Sequence, residues 1–168
     1  QASPKFQGSV SSKLELYGFD FSFQMNYSLG GKIYGDHLSY DEQTGASGLT
    51  NTTRYVYENR WQKPGDNALV PKFTYGDRSN ANRASSRFLM KGDYLKLRNI
   101  TLGYTLPKNF VNRIRLSNAR VYVSADNIYT FVAKDYRGFD PSGIGPNGVQ
   151  WWNYPPSRNV VFGLNLSF

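Results

Sequence analysis

Residues 158–168 at the end of the chain (RNVVFGLNLSF) alternate between apolar side chains and mostly polar or small ones. The apolar parity consists of Val160, Phe162, Leu164, Leu166 and Phe168. A period of two without proline predicts a β-strand with one apolar face. A tilted strand of about ten residues also crosses the hydrocarbon layer of a bilayer, and strict alternation is typical of membrane β-barrels. Taken alone, this strand fits a membrane barrel or the edge of a soluble β-sandwich.

The same alternation recurs along the chain and predicts an all-β protein with five antiparallel strands. The predicted strands are residues 4–16, 19–29, 87–106, 118–131 and 158–168. The connections between them are alternately short and long: 17–18, 30–86, 107–117 and 133–157. Membrane barrels have short periplasmic turns and long extracellular loops, so this order favours a barrel over a sandwich. It also makes 30–86 and 133–157 extracellular if the C-terminus is periplasmic.

The connections contain a few local signals of their own. Tyr17-Gly18 predicts a tight hairpin turn because glycine supplies the positive φ that such turns need. Short helical turns are predicted at 55–61 and at 107–114, the second beginning at Pro107. The rest of 30–86 has no periodicity, and a connection of that length is usually functional or disordered.

The strand at 87–106 is irregular because its apolar parity changes near Asn99. Leu95 and Leu97 have one parity, whereas Ile100 and Leu102 have the other. Either a β-bulge resets the register, or the part before Asn99 rises above the membrane and has other neighbours. We predict the second, since long strands of large barrels project above the bilayer.

Composition excludes several classes of function. The chain has no cysteine and one histidine, His37, so it offers no disulfide framework, no cysteine-based metal site and no histidine triad of the usual kind. No catalytic arrangement of carboxylates is recognisable, and we predict neither an enzyme nor a cofactor or metal. The net charge of the chain is +8. Much of this excess lies in one irregular stretch, residues 51–91, which contains eight basic and three acidic residues. No nucleic-acid-binding motif accompanies this basic loop. Lipopolysaccharide phosphates, the acidic surface of a partner, or solvent alone remain alternatives for it.

Four segments resemble the C-terminal end of SusC/RagA-type TonB-linked (TonB-dependent) outer-membrane transporters. They are PKFQGSVSSKLELYGFDFSFQMNYSLGGKIY, NRWQKPGDN, GDYLKLRNITLGYTLP, and ARVYVSADNIYTF with FDPS shortly after. The most specific is YLKLRNITLGYTLP, followed by Asp126-Asn127 and the terminal Phe168. Because the chain begins at Gln1-Ala2-Ser3-Pro4 without methionine or signal peptide, we interpret residues 1–168 as a C-terminal fragment.

The resemblance implies a 22-stranded barrel with an N-terminal plug, in the outer membrane of a Gram-negative bacterium. It implies TonB-dependent uptake of glycans or peptides, with a SusD-like surface lipoprotein as a lid. The partners would be the remainder of the barrel, that lipoprotein, the TonB complex through the missing N-terminal region, and outer-membrane lipid and lipopolysaccharide. Phe168, with Leu166 and Gly163, would form an apolar ladder at the strand that closes the barrel, and assembly factors would recognise the terminal aromatic residue.

Aromatic residues on the long loops are the candidate contact residues. They are Trp61, Trp151, Trp152 and Tyr154. Their rings could stack on sugars, pack on a peptide, contact the lid lipoprotein or simply anchor the loops. The rival interpretation of the chain is a soluble β-sandwich that binds carbohydrate through these rings.

Overall fold

The computed structural model describes residues 2–168, whose regular secondary structure is mostly β-strand. The strands are β1 (Phe6–Leu16), β2 (Phe19–Leu29), β3 (Lys32–Gly35), β4 (Leu89–Lys91), β5 (Tyr94–Thr105), β6 (Asn118–Val132), β7 (Val149–Gln150) and β8 (Asn159–Ser167). The α-helices are α1 (Leu38–Asp41), α2 (Arg54–Asn59) and α3 (Lys108–Arg113), and 3₁₀ turns lie at Ser86–Phe88 and Pro141–Gly143. Helices α2 and α3 confirm the two predicted helical turns.

Five strands form one antiparallel sheet in the order β1-β2-β5-β6-β8. The sheet confirms the predicted all-β class with five antiparallel strands. The turn from β1 to β2 contains only Tyr17 and Gly18, with φ of 51° and 84°. Positive φ at both central residues is what a type I′ turn requires, and this turn matches the right-handed twist of its strands.

The register places the predicted apolar residues of all five strands on one face. One row across the sheet consists of successive register partners: Leu14, Phe21, Leu102, Val123 and Phe162. No second sheet covers this face in the described part of the chain, and Phe162 is 82% exposed. A soluble sandwich would bury such a face against a partner sheet. The apolar face therefore requires a cover that residues 2–168 do not themselves supply.

A β-bulge in β5 explains the change of apolar parity near Asn99. Gln24 of β2 pairs with Asn99, but Met25 pairs with Leu97, so Arg98 is an extra residue. Leu97 and Ile100 consequently lie on the same face of the sheet. The prediction that the part before Asn99 leaves the apolar face is wrong, because the bulge resets the register.

Strand β6 is irregular at the same level. Leu97 and Asn99 pair with Tyr129 and Asp126, so β6 has two residues opposite the single Arg98. One of them, Asn127, has a φ of 52°, a left-handed conformation that asparagine tolerates better than most residues. The Asp126-Asn127 pair noted in the sequence therefore marks a backbone irregularity.

The other face of the sheet carries hydrogen-bonded polar side chains. Arg120 of β6 donates from Nε and Nη2 to Asp20 of β2, at 2.8 and 2.5 Å. This bidentate pair crosses β5 above Gly103, where a Cβ would overlap both side chains. Asn99 Nδ2 donates to Asp126 Oδ1 at 2.7 Å and to Ser124 Oγ at 3.0 Å. We call this face the inner face.

The long connections form an ordered unit, which we call the loop unit (residues 30–93 and 133–157). Its three-stranded sheet has the order β4-β3-β7, with β3 antiparallel to β4 and parallel to β7. Ile33, Leu38, Phe88 and Met90 form its buried apolar core. Residues 30–86 are thus part of a small packed structure, although their sequence shows no periodicity.

Candidate functional site

A buried ion pair joins the two halves of the loop unit. Arg137 Nε donates to Glu42 Oε1 at 2.8 Å, and Arg137 Nη2 donates to the carbonyl of Arg87 at 3.0 Å. Arg87 Nη2 in turn donates to the carbonyl of Glu42 at 2.7 Å. The Glu42 side chain is only 2% exposed. Burial of these charges is tolerable because each has hydrogen-bonding partners.

The Arg137 guanidinium also lies over the ring of Tyr55, 4.6 Å from its centroid. Tyr55 belongs to α2, whose first turn is capped by the Thr53 hydroxyl, which accepts from the Val56 N–H. Val56 on the same helix is completely buried. Arg137 therefore holds α2 as well as Glu42 and Arg87 in place.

A second ion pair attaches the loop unit to the inner face of the large sheet. Lys96 Nζ of β5 donates to Asp140 Oδ2 at 2.7 Å and to Ser142 Oγ at 2.8 Å. Burial by itself would raise the pKa of Asp140, but the hydrogen bonds from Lys96 and Ser142 outweigh it and keep that pKa below its usual value. Asp140 is thus charged at neutral and mildly acidic pH, and the attachment persists there.

The predicted aromatic contact residues lie in two different places. Trp152 forms a cluster with Tyr40 (5.2 Å between ring centroids) and His37 (6.5 Å), and His37 packs on Phe139 at 5.0 Å. Trp151 and Trp152 are about half exposed, and Tyr154 is 92% exposed. Trp61 forms no ring pair with these three within residues 2–168 and instead lines a separate cleft.

Sequence reasoning missed most partners in these clusters. His37, Tyr40 and Phe139 lie in aperiodic segments, and neither Glu42 nor Arg137 belongs to a recognisable motif. Only the unusual density of aromatic residues in 133–157 pointed toward the Trp152 cluster. The Glu42–Arg137 pair joins residues 95 positions apart and had no signal in the sequence.

A cleft beside Trp61 has a volume of about 1190 Å³. Its floor includes Trp61, Leu69 and Val70. Five basic and two acidic residues line it: Lys72, Arg87, Lys91, Lys134, Arg137, Asp66 and Asp135. Part of the basic loop 51–91 thus forms a wall of a defined cleft, together with residues from 133–157.

The three residues predicted to form a terminal apolar ladder do not share one face. Leu166 pairs with Ala119 on the apolar face, and Phe168 follows the end of β8 and is 94% exposed. Gly163 lies on the inner face, where the ring of Tyr122 occupies the space that a Cβ would take. The ladder prediction is therefore wrong for Gly163, which makes room for a cross-strand tyrosine.

No group of three or more histidine, cysteine, aspartate or glutamate residues within 2–168 is arranged to hold a metal ion. No helix in that part of the chain is long and apolar enough to cross a membrane.

Comparison with curated proteins found several relatives along almost the whole chain. TonB-dependent receptor P3 of Formosa agariphila is 31% identical over 99% of the chain, which covers 16% of that protein. TonB-dependent receptor SusC of Bacteroides thetaiotaomicron is 29% identical over 95% of the chain, covering 15% of that protein. The chain thus spans about a sixth of the length of these relatives. No protein-family model matches it.

Comparison with solved structures found the same architecture. The RagAB peptide importer in its closed-closed state matches with a TM-score of 0.81 and 27% identity, over 99% of this chain and 18% of that one. A further RagAB peptide transporter structure matches with a TM-score of 0.82 and 28% identity, over 99% of this chain and 17% of that one. The five-stranded sheet and the loop unit are thus similar in arrangement to part of these importers.

Proposed function

Because the chain belongs to the SusC/RagA type of TonB-dependent receptors, we propose that residues 1–168 are the C-terminal part of an outer-membrane nutrient importer. In this role the large sheet forms part of the wall of a 22-stranded barrel. The loop unit faces the cell exterior. The whole protein takes up a glycan or a peptide in a TonB-dependent manner and is not an enzyme.

The contrast between the two faces of the large sheet carries this proposal. Leu14, Phe21, Leu102, Val123 and Phe162 make a continuous apolar row, whereas the inner face carries the Asp20–Arg120 pair and the amide of Asn99. A wall between lipid and a polar lumen requires this distribution. Five strands alone would leave two open edges, so the remainder of the barrel is the obligatory partner.

The proposal includes two protein partners. A SusD-like lipoprotein closes over the loop unit, and the TonB complex acts through a plug outside this chain. In this proposal the half-exposed rings of Trp151 and Trp152, with the exposed Tyr154, contact the lipoprotein or the solute. Aromatic residues of this kind are enriched at protein interfaces and stack readily on ligands.

Topology is tested by cysteine labelling of the full-length receptor in intact cells. Cysteines replacing Ser47 and Asn147, both exposed in the loop unit, should react with a membrane-impermeant maleimide. A cysteine replacing Asn112 in α3, at the opposite end of the sheet, should react only after the outer membrane is permeabilised. Labelling of the Asn112 position alone in intact cells would reverse the proposed orientation.

The terminal aromatic residue gives a test of barrel assembly. Phe168 extends past β8 with its side chain exposed, so its loss removes little packing from this chain. We expect Phe168→Ser, and deletion of Ser167 and Phe168, to reduce the amount of heat-modifiable folded receptor in the outer membrane, because assembly factors would no longer recognise the terminus. Ser117→Ala, which removes a neighbouring hydrogen bond to the Phe168 carbonyl, is the control. Wild-type amounts from both terminal variants would exclude this role.

The rival, a soluble carbohydrate-binding sandwich, makes the opposite prediction about solubility. A sandwich would remain monodisperse without detergent. The exposed apolar face described above should instead make any folded form of the receptor dependent on detergent or lipid.

A further inference from the structure

The cleft lined by Trp61 carries more positive than negative charge, because five basic and two acidic residues line it. We propose that this cleft binds the carboxylate or sulfate groups of an acidic oligosaccharide, an inference that rests on the proposed import function. It names the chemical class of solute that the loop unit selects.

The two arginines provide a positive charge that cannot move away. Arg87 and Arg137 both bond Glu42, Arg137 through the carboxylate and Arg87 through the carbonyl. Two guanidinium groups therefore face one buried carboxylate, which leaves one positive charge uncompensated at the cleft wall. Arg87 Nε is withdrawn from water and donates to no group within residues 2–168. A buried donor without an acceptor is costly, but because water does not reach this nitrogen, Arg87 contributes its charge to the cleft and not a direct bond from Nε.

The lysines add charge that is free to meet a ligand. Lys72, Lys91 and Lys134 are exposed and form no salt bridge in the part of the chain that the structure describes. Of the two acidic lining residues, Asp66 is already engaged, since its Oδ2 accepts from the N–H groups of Gln62 and Lys63 at 3.0 and 2.9 Å. Five basic residues against two acidic ones leave the lining with a net positive charge, and such a cleft concentrates anionic ligands.

The floor of the cleft favours a sugar over a peptide. The Trp61 N–H donates to the Val70 carbonyl at 2.9 Å, and the Val70 N–H donates to the Asn59 carbonyl at 3.1 Å. These two N–H groups are already paired, so a peptide cannot bond to them as an added strand. Recognition must come from side chains, and an indole beside several cations suits a pyranose ring that carries acidic substituents.

The test is calorimetric titration of the full-length receptor in detergent micelles with tetragalacturonate, at low and at high salt. Cellotetraose serves as the neutral sugar and tetraglutamate as the acidic peptide. The variant K91Q/K134Q removes two unpaired cations of the cleft. The control K63Q/K108Q removes the same total charge from exposed positions that do not line it.

We expect tetragalacturonate to bind and cellotetraose not to bind. The double variant should bind tetragalacturonate at least about ten-fold more weakly, because two charge-assisted contacts are lost, whereas the control should bind as the wild type does. Binding should also weaken at high salt, as an electrostatic interaction does. Trp61→Ala should weaken binding without changing its salt dependence.

Three results would overturn the inference: no binding of tetragalacturonate, equal binding by K91Q/K134Q and the wild type, or tighter cleft-dependent binding of tetraglutamate. A different result would refute the proposed import function. Cleft-dependent binding to purified receptor without TonB-dependent accumulation of any solute by cells would refute import and leave the binding site in place. TonB-dependent uptake with no tetragalacturonate binding would refute the binding site and leave the import function in place.

Discussion

Arg137→Met should lower the local stability of the loop unit by about 3–5 kcal/mol, the usual cost of breaking a buried ion pair from one side. The substitution leaves the Glu42 carboxylate, 2% exposed, without its bidentate partner, and it removes the guanidinium from the Tyr55 ring. The loss is measured by hydrogen exchange of the amides in α2 and around Phe88 in the detergent-solubilised receptor. The amides of the large sheet should keep their protection.

A second substitution separates lost charge pairing from lost packing. Replacing Glu42 with leucine in the Arg137→Met background removes the unpaired buried charge, and we expect it to restore a large part of the protection. Arg54→Met is the matched control, because its salt bridge with Glu58 lies on the surface, where Arg54 is 88% exposed, and such pairs contribute little. If Arg137→Met exchanged no faster than Arg54→Met, the ion pair would not hold the two loops together.

Arginine at position 23 or 164 should destabilise the barrel by about 2–4 kcal/mol, as charged residues do on the lipid face near the bilayer midplane. Phe23 pairs with Ser12 and Ile100, and Leu164 pairs with Val121, so both lie on the apolar face near the middle of their strands. The measurement is reversible denaturant unfolding of the full-length receptor in lipid vesicles.

The neighbouring positions on the inner face provide the controls. Gln24→Arg and Asn165→Arg place the same charge one residue away, toward the polar lumen, and should be tolerated. Asn165 pairs with Arg120, whose charge is balanced by Asp20, so a further arginine there meets a solvated surface. Equal tolerance at all four positions would mean that the two faces of the sheet have been misassigned.

The strands were predictable because a period of two is imposed by the backbone itself, and a face exposed to lipid tolerates few exceptions. The same rule explains the one wrong prediction about the sheet, which concerned the parity change near Asn99 in β5. A parity change looks identical in sequence whether a bulge resets the register or the strand meets new neighbours. Only the pairing of Met25 with Leu97 distinguishes the two, and pairing is a property of two strands.

The loop unit could not be predicted for a different reason. Its core joins Ile33 and Leu38 to Phe88 and Met90, which are at least fifty positions away in the sequence, and its strands are too short for any periodicity. The aromatic residues were correctly placed on the long loops, but their separation into the Trp152 cluster and the Trp61 cleft depends on how the two loops pack together. Contacts of this range leave no local trace.

The double attachment of the loop at 133–157 has a consequence for how the receptor meets a solute. One end of this loop is bound to Glu42 through Arg137, and its Asp140 is bound to Lys96 on the inner face of β5. These residues therefore lose most of their conformational entropy when the protein folds, before any solute binds. A solute that settles in the cleft between the two loops does not have to order them, and more of its contact energy remains as affinity. Under the proposed import function, the motion would come from parts of the receptor outside this chain, while the rim supplied by this chain stays a fixed template.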